Sequence, residues 1–599
     1  MFGLENYVLP EPFSLFNSLI LSFGIYGFGL FVIKNFFYFE FNNSIFKKKI
    51  SCFSYIIGYN ILISIFYFIS IFTEQIILVF LLVSIILYFF SIKTLLDIIF
   101  SIKIFKKKIT HLIIKDKLIY FLLFSYLLLS LGPITNADSL DYHIGVALKS
   151  IINEKFITEI TWNTSTNAAS GEMFIAFALF NGAEQLTSIT NFFAIIAIVF
   201  TIKNSENNNN KDLKWLILLI LSSPVIMSLT ATSKPQLIFV ASNFLAFAFI
   251  IRANKSNYKN TILPIYLISN SFVAKFSFIF SSSLIFLIIL IKFFKNYRYI
   301  IFVSSLCLIL IIFPHFYFKN LAYDMNFYEF LRFPVPINIE GYEGFYHHLQ
   351  GGGPVSFPFN IFHPFNLSLF NEGIGLFFII LIPFIHKIIK KNFLIFFLII
   401  ISFSPLFFLK NTMSRYFLEM TLFLTILIFL SDKRFVINGI SKILIIIQTI
   451  ICSLIVFVYG LIFIFGSSTN DNKNLIRTYF ANEYQIYKWS NSVLPKNSIL
   501  LSIPRSISFS KVETYSIDFT RFVNSNKEYY WNLIKEKKPN YILSFKELKE
   551  NNCVEELAYH QKDIGYFTSR NIFQKQIRYD GYIYKFNYNY LPNCYINKL

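Results

Sequence analysis

Long apolar runs separated by short basic loops fill the first 466 residues of this chain. Runs of about 17–25 apolar residues can cross a hydrocarbon core of about 30 Å. The 599-residue chain is 55% hydrophobic and holds 77 Phe, which excludes an ordinary soluble protein. The pattern predicts a polytopic α-helical membrane protein with about 12–14 spans. We place them near 14–38, 51–72, 76–100, 118–133, 186–202, 214–230, 236–251, 261–274, 276–294, 299–316, 373–389, 393–409, 416–431 and 442–466.

The basic residues predict which way these spans face. Lys and Arg cluster after every odd-numbered span, near 47–49, 103–117, 203–214, 252–259, 292–298, 387–391 and 433–434. Short basic loops stay on the cytoplasmic side. The even-numbered connections, the N-terminus and everything after 467 are therefore predicted to be extracytoplasmic. Because the net charge of +20 is largely this topological signal, we do not expect nucleic acid as a partner.

An acidic segment, Asn136-Ala-Asp-Ser-Leu-Asp-Tyr-His143, opens the external loop 134–172. A charged side chain within a bilayer costs about 2.5–3.5 kcal/mol on insertion scales. Asp138 could simply cap a helix beginning at Leu140, and Asp141 and His143 could be exposed loop residues. The alternative is a functional site that also includes Glu172. The apolar stretch 171–185 is expected to form an interfacial helix lying along the membrane.

Three external cations, Lys234, Lys275 and Arg415, lie in otherwise apolar surroundings. Each could extend its charge to lipid headgroups while its stem stays in apolar surroundings. They could instead converge on an anionic ligand, for which phosphate is the obvious candidate. Three such residues from distant segments on one side favour the second interpretation.

Two further features carry weaker signals. The long external loop 317–372 holds His347, His348 and His363, whose spacing matches no metal motif; we expect an aromatic cover over an outer cavity. Cys553 and Cys594 are the two cysteines outside the apolar region, so at most one disulfide is expected there.

Residues 467–599 contain no apolar span and predict a soluble α/β domain. Helical patterns cover 484–494 and 529–538, and buried-strand patterns cover 498–503 and 540–545. Asp580-Gly581 within 574–586 predicts a hairpin turn. We therefore divide the chain into N-terminal transmembrane helices (1–117), a transmembrane core (118–466) and an external domain (467–599).

Taken together, these motifs resemble the GT-C superfamily of integral-membrane glycosyltransferases, in its aminoarabinose-transferase-like and protein mannosyltransferase-like branches. The resemblance rests on Asp138-Ser-Leu-Asp-Tyr-His143 with the later Gly171-Glu172, and on Ile-Tyr-Lys-Trp-Ser-Asn-Ser-Val-Leu-Pro-Lys-Asn-Ser-Ile-Leu at 486–500. It covers most of the chain from about 118 onward. Three spans precede the one leading into the acidic loop, whereas the family core usually has one.

The resemblance implies sugar transfer from a polyprenyl-phosphate-linked donor to an extracytoplasmic glycan, lipid or protein at a bacterial inner membrane. Asp138, with Asp141 second, would be the catalytic base or would orient the incoming hydroxyl. Tyr142, His143 and Glu172 would contact the sugar. The cations Lys234, Lys275 and Arg415 would hold the lipid phosphate. No metal ligands are assigned, and a divalent metal stays open because only some branches use one.

Three other functions compete with this one. A secondary transporter also needs many spans and buried charges, but places them near the midplane, often in repeats with broken helices. Here the notable charges gather at one face and no clear internal repeat is visible. A membrane polysaccharide polymerase or ligase is close in chemistry. A purely structural scaffold leaves the outward Lys and Arg unexplained.

Overall fold

The computed structural model describes residues 2–38, 41, 47–156, 168–204, 212–254, 258–275, 277–323, 373–408, 414–431, 436–516, 536–548, 554–567 and 577–586. The described chain is mostly helical. Its α-helices are α1 (Phe13–Phe36), α2 (Ser54–Phe72), α3 (Ile76–Lys115), α4 (Lys117–Ser130), α5 (Ile144–Ile152), α6 (Ser170–Phe180), α7 (Leu186–Asn204), α8 (Leu213–Leu221), α9 (Pro224–Thr230), α10 (Gln236–Arg252), α11 (Ile262–Ala274), α12 (Phe278–Lys292), α13 (Tyr297–Cys307), α14 (Phe313–Tyr323), α15 (Phe377–Phe408), α16 (Leu418–Ser431), α17 (Gly439–Phe465), α18 (Asn470–Phe480) and α19 (Tyr484–Val493).

Seven helices of the described chain are long and apolar enough to cross a membrane. They become eight if α8 and α9, which are bent by 56° at a short break, form one span. Four further apolar helices, α4, α6, α10 and α12, are shorter. The sequence predicted more spans, and several of these correspond to shorter or broken helices in the structure. One break is at Asn392, whose non-helical backbone (φ −134°, ψ 38°) divides α15 between two of the predicted spans.

Apolar side chains cover the outside of several of these helices. Leu82, Ile85 and Phe89 on α3 are between 51% and 66% exposed, and Ile440 and Ile443 on α17 are 74% and 59% exposed. Apolar surfaces of this extent are unfavourable in water. The helices therefore have the surface expected of a multi-pass membrane protein.

The interior is organised around α10, in which every residue from Gln236 to Ile250 is buried. A helix that is apolar on all sides belongs in the core of a bundle. Where α1 and α2 cross, glycines let the backbones touch: a Cβ on Gly29 would lie 1.8 Å from the Ser54 carbonyl oxygen, and one on Gly58 would lie 2.4 Å from that of Ile25. Small residues serve this purpose at membrane helix contacts.

The interfacial helix expected over 171–185 is wrong. The structure has α6 at Ser170–Phe180, and residues 170–179 are all buried. Phe174 packs against Tyr59 of α2, and Phe177 stacks on Phe66 of the same helix. Because its aromatic side chains find partners on a neighbouring helix, α6 is enclosed by protein instead of lying along a membrane surface.

The C-terminal region forms a small sheet domain of five strands in the order β2-β1-β3-β5-β4. The strands are β1 (Ile499–Ser502), β2 (Glu513–Ser516), β3 (Tyr541–Ser544), β4 (Val554–Phe567) and β5 (Ile577–Phe586). The first three are parallel, whereas β5 is antiparallel to both β3 and β4. Helix α19 and strands β1 and β3 confirm three of the predicted elements. The predicted helix 529–538 lies mostly outside the described residues.

The hairpin turn predicted at Asp580-Gly581 is wrong, because both residues lie inside the continuous strand β5. Gly581 pairs with Gln561 of β4, and a Cβ on Gly581 would lie 2.7 Å from the ring of Trp489. The glycine therefore makes room for an aromatic ring of α19. Besides its use in turns, glycine often occurs inside a strand where another group approaches the backbone closely.

A buried ion-pair cluster joins the sheet domain to the helical bundle. Lys473 Nζ lies 2.9 Å from Glu11 Oε1 and 2.6 Å from Glu184 Oε2, and Arg477 Nη2 lies 2.9 Å from both Glu184 oxygens. We call Glu11, Glu184, Lys473 and Arg477 the Glu184 cluster. Glu184 also accepts the Ile134 backbone N–H at 2.9 Å. The cluster is neutral overall, so each buried charge has an opposite charge beside it.

The pKa of Glu184 reflects this pairing. Burial by itself raises the pKa of a carboxyl, but Arg477 and Lys473 outweigh burial and lower the pKa of Glu184 to about 2. Glu184 is therefore ionised throughout the physiological range and holds α18 against the bundle.

Replacing Arg477 with Met keeps an apolar side chain in place of the arginine methylenes but removes the guanidinium, so Glu184 loses its ion pair with Arg477. We expect the free energy of unfolding in detergent to fall by about 3–5 kcal/mol, as for other buried pairs that lose one partner. The Glu184→Gln/Arg477→Met double variant should recover part of this loss. Lys155→Ala, which breaks the exposed pair with Glu74, is the control and should unfold like wild type. Equal stability of Arg477→Met and wild type would contradict the structural role of the cluster.

Candidate functional site

The acidic segment forms a short π-helical turn, Ser139–His143, that leads directly into α5. Asp138 has helical backbone angles and its side chain makes no capping hydrogen bond, so the helix-cap interpretation of Asp138 is wrong. Asn136 takes that part: its Oδ1 accepts the Ser139 backbone N–H at 3.1 Å. The Ser139 hydroxyl in turn accepts the Ser233 backbone N–H at 3.2 Å. The loops 134–138 and 231–235 are thereby tied together.

The hydrogen bond between these loops places Asp138, the first predicted carboxylate, beside Lys234, the first predicted cation. Lys234 Nζ lies 2.5 Å from Asp138 Oδ2, and the lysine side chain is 7% exposed, so snorkelling to lipid headgroups does not describe it. Lys234, with Arg415 and Arg505, holds the pKa of the Asp138 carboxyl well below its usual range despite burial. Burial lowers the pKa of Lys234 to about 8, since Asp138 offsets only part of that effect and Arg415 and Lys275 add like charge.

The second carboxylate is bound by the C-terminal domain. Arg505 donates from Nε and Nη2 to Asp141 Oδ2, at 3.1 and 2.7 Å, and its Nη2 also lies 3.8 Å from Asp138 Oδ1. The Arg505 and Ser506 backbone N–H groups donate to Glu483 Oε2, which fixes the loop. Asp141 is buried, so the interpretation of Asp141 as an exposed loop residue is wrong.

Sequence reasoning missed Arg505, although a signal existed. It follows β1 by three residues, at the carboxyl end of a parallel strand. Ligand-facing side chains in α/β domains gather at the carboxyl ends of parallel strands. The strand at 499–502 was predicted, so the loop after it could have been inspected for charge.

His143 and Glu172 form a buried pair. His143 Nδ1 lies 2.6 Å from Glu172 Oε1, while Glu172 Oε2 accepts the Ala169 backbone N–H at 2.7 Å. His143 is 4% exposed and is therefore no exposed loop residue. Lys319 on α14, a cation that sequence reasoning also missed, is buried, donates to the Ala168 carbonyl at 3.3 Å and lies within electrostatic range of Glu172.

The remaining two predicted cations both lie near one aromatic ring. Lys275 Nζ is 5.6 Å and the Arg415 guanidinium 5.4 Å from the centroid of the Tyr416 ring. Within the part of the chain that the structure describes, Lys275 forms no ion pair. Burial, with the like charge of Arg415, lowers the pKa of Lys275, and Tyr416, Asp138 and Glu172 offset only part of this effect. Tyr142 is buried within electrostatic range of Asp138, Glu172 and Arg415.

All eight predicted site residues therefore meet at one end of the bundle, next to Arg505 and Lys319. Against the three carboxylates, Asp138, Asp141 and Glu172, stand five cations: Lys234, Lys275, Lys319, Arg415 and Arg505. Four buried polar atoms in this neighbourhood lack hydrogen-bond partners among the described residues: His143 Nε2, Ser170 Oγ, Ser233 Oγ and Gln236 Oε1. Such atoms are rare in protein interiors. The arrangement suits an anionic, hydroxyl-rich ligand.

Metal binding is not visible in the described ranges, which contain no group of three or more His, Cys, Asp or Glu side chains that could hold an ion. The histidines at 347, 348 and 363, with most of the loop 317–372, lie outside those ranges. So do Cys553 and Cys594. Cys52, Cys307 and Cys452 form no disulfide within the described ranges.

The contact between Asp141 and Arg505 predicts a measurable coupling between the two domains. Asp141→Asn and Arg505→Ala should each lower the unfolding temperature. In the double variant, the two losses in the free energy of unfolding should differ from additivity by about 1 kcal/mol. The coupling is this small because Arg505 is partly exposed. The matched control cycle pairs Asp141→Asn with Lys511→Ala, whose exposed partner is Glu5, and should be additive. Additivity in both cycles would contradict the domain contact.

Comparison with known families accounts for most of the chain. The model of the DUF1420 N-terminal domain matches residues 108–470, and that of the DUF1420 C-terminal domain matches residues 478–599. No curated protein matches the chain. The first match begins within α3 and covers all eight predicted site residues, and the second covers the sheet domain that supplies Arg505. The chain belongs to the DUF1420 family.

Proposed function

We propose that this protein is a membrane glycosyltransferase that moves a sugar from a polyprenyl-phosphate-linked donor to an extracytoplasmic acceptor. In this proposal the bundle is a GT-C-like core in a bacterial inner membrane, with about 12–14 crossings. The N-terminus and the sheet domain lie outside the cytoplasm. The acceptor is a glycan, a lipid or a protein, and a polysaccharide polymerase or ligase would use the same chemistry. Membrane lipids surround the bundle.

The single observation that carries the proposal is the excess of cations over carboxylates at the site, where Lys275 forms no ion pair among the described residues. Burial lowers the pKa of Lys275, and Tyr416, Asp138 and Glu172 offset only part of this effect. An anion bound beside this ammonium would stabilise its charge. Phosphate suits this role, since Arg and Lys bind it through charge-assisted hydrogen bonds. Negative charge grows on the departing phosphate in the transition state, so the same contacts would accelerate transfer.

The carboxylates suit the other half of the reaction. Asp138 is about a third exposed and can accept a hydrogen bond from the incoming hydroxyl, as the sequence resemblance implies. The ion pairs of Asp138 lower the pKa of its carboxyl. Asp138 is therefore better suited to orient the incoming hydroxyl than to accept the proton from it. Asp141 would hold Arg505 beside Asp138. Tyr142, His143 and Glu172 would contact the sugar.

The sheet domain would then take part in the site. Arg505 reaches Asp141 from the loop after β1, and the Glu184 cluster fixes the domain on the bundle. An acceptor bound at the carboxyl ends of β1, β2 and β3 would lie next to the proposed donor site. This gives the domain a role in acceptor binding.

A secondary transporter is the second candidate, and specific observations favour it. The pair α8 and α9 is broken and bent, as are helices at transporter sites. Buried Glu419 on α16 accepts from Asn243 Nδ2 at 2.9 Å with no ion pair among the described residues, and intramembrane carboxyls mark proton or ion paths. These features include none of the eight predicted site residues, so we place this function second.

Replacing Asp138 with Asn should abolish transfer, because the amide cannot accept in the same way and leaves Lys234 without its partner. We expect a loss of about 100-fold or more in the rate at which purified protein releases polyprenyl phosphate. Donors would be undecaprenyl-phosphate-linked glucose, mannose and aminoarabinose, with bacterial membrane extract as acceptor. Lys155→Ala is the control and should keep the wild-type rate. Full activity of Asp138→Asn would remove Asp138 from the mechanism.

The cations predict a separate defect in binding. Lys234→Ala and Arg415→Ala should weaken binding of undecaprenyl phosphate at least tenfold, measured with protein in lipid nanodiscs. Normal binding by both variants would refute the phosphate site. Proton entry into proteoliposomes that accompanies solute uptake, and that Glu419→Gln abolishes, would favour the transporter.

A further inference from the structure

His143 has one ring nitrogen that binds Glu172 and another that binds nothing in the described chain. Nδ1 lies 2.6 Å from Glu172 Oε1, whereas Nε2 is buried and has no hydrogen-bond partner among the described residues. The imidazole ring packs against the ring of Tyr142, with 4.0 Å between the ring centroids and 33° between the ring planes. The side chain is thus held firmly by two contacts while one polar atom stays unsatisfied.

The partner of Nδ1 decides the state of Nε2. Glu172, as a carboxylate, can only accept, so Nδ1 carries the proton and Nε2 presents a lone pair. The Ala169 backbone N–H on the second Glu172 oxygen fixes the carboxylate in this orientation. A carboxylate behind one imidazole nitrogen orients the other nitrogen as a base in many enzymes.

From this geometry we infer that His143 Nε2 is the proton acceptor of the reaction and that Glu172 is its positioning residue. The inference rests on the proposed function. The acceptor hydroxyl oxygen forms a bond to the anomeric carbon, and the bond between that carbon and the phosphate oxygen breaks with its electron pair on the phosphate. The hydroxyl proton passes to Nε2. The resulting imidazolium is stabilised by Glu172 and later releases its proton to water.

The charges around the ring set the pH at which this base operates. Burial lowers the pKa of His143 below its ordinary value of 6.5, Glu172 acts in the opposite direction, and Lys275 and Lys234 add to the lowering. These are the charged groups that face it from α6, from the loop before α10 and from the end of α11. A base with a lowered pKa is neutral and active at pH 7. Its activity is lost as pH falls through the lowered pKa.

Two measurements on the full-length protein test the inference. Hydrogen–deuterium exchange at the imidazole C2 position, followed by mass spectrometry, gives the pKa of each histidine in wild type; we expect that of His143 below 6.5. The pH profile of polyprenyl phosphate release gives the functional pKa. His143→Gln should lose at least 100-fold in kcat and retain undecaprenyl phosphate binding.

Glu172→Gln is the discriminating variant, because its amide can donate to Nδ1 and so place the proton on Nε2. We expect a large loss of kcat, unchanged binding of undecaprenyl phosphate and a His143 exchange pKa lower than in wild type. His560→Gln, which removes a histidine beside Asp580 in the sheet domain, is the control and should keep the wild-type pH profile.

The outcomes separate the inference from the proposed function. Wild-type release of polyprenyl phosphate with an unchanged rate in His143→Gln overturns the inference and leaves the glycosyltransferase proposal intact. A His143 exchange pKa above 7 also overturns it, even if His143→Gln fails to fold. If wild type releases no polyprenyl phosphate from any donor, the proposed function fails, and the role of His143 fails with it.

Discussion

The carboxylate of Glu184 is the point on which the rest of the arrangement depends. Its two oxygens are shared by Arg477 and Lys473 from α18 and by the backbone N–H of Ile134. Ile134 begins the loop that carries Asp138, and α18 begins the C-terminal region. One buried anion therefore fixes both the acidic loop and the sheet domain. A buried charge without its partner is costly. Breaking the ion pairs of Glu184 would therefore release both the acidic loop and the sheet domain from their positions.

This constraint explains how Arg505 can belong to a site in the bundle. Residues 141 and 505 are separated by 364 positions, yet their side chains make charge-assisted hydrogen bonds. A flexibly tethered domain would lose much of this contact to entropy. With α18 held in place, the loop after β1 is already positioned and Arg505 meets Asp141 at little further cost.

Charge at the site divides into two kinds of contact. Lys234 and Arg505 are matched by Asp138 and Asp141, and these pairs set the shape of the loops. Lys275 and Arg415 lie against Tyr416, which moderates their repulsion without cancelling their charge. The first kind holds the loops in place, and its cations keep the pKa of Asp138 well below its usual range. In our proposal Lys275, which forms no ion pair within the described ranges, binds the donor phosphate.

The features that the sequence could predict are those that depend on a local pattern of residues or on a charge next to an apolar run. Apolar runs located the helices, and misplaced cations and acids located residues that the structure brings together. Contacts between distant segments could not be predicted: nothing local to Glu184 or Arg477 indicates their pairing. Asp580-Gly581 shows the same limit, because the packing of Trp489 on Gly581, and not the turn preference of the pair, decides its conformation.

The most direct measurement is the mass of the lipid that remains bound when the protein is purified in mild detergent and released by native mass spectrometry. A site built to hold a polyprenyl phosphate should retain undecaprenyl phosphate or its sugar conjugate in preference to bulk phospholipid. Protein that retains phospholipids alone, even when undecaprenyl phosphate is supplied in excess, would contradict the proposed donor site.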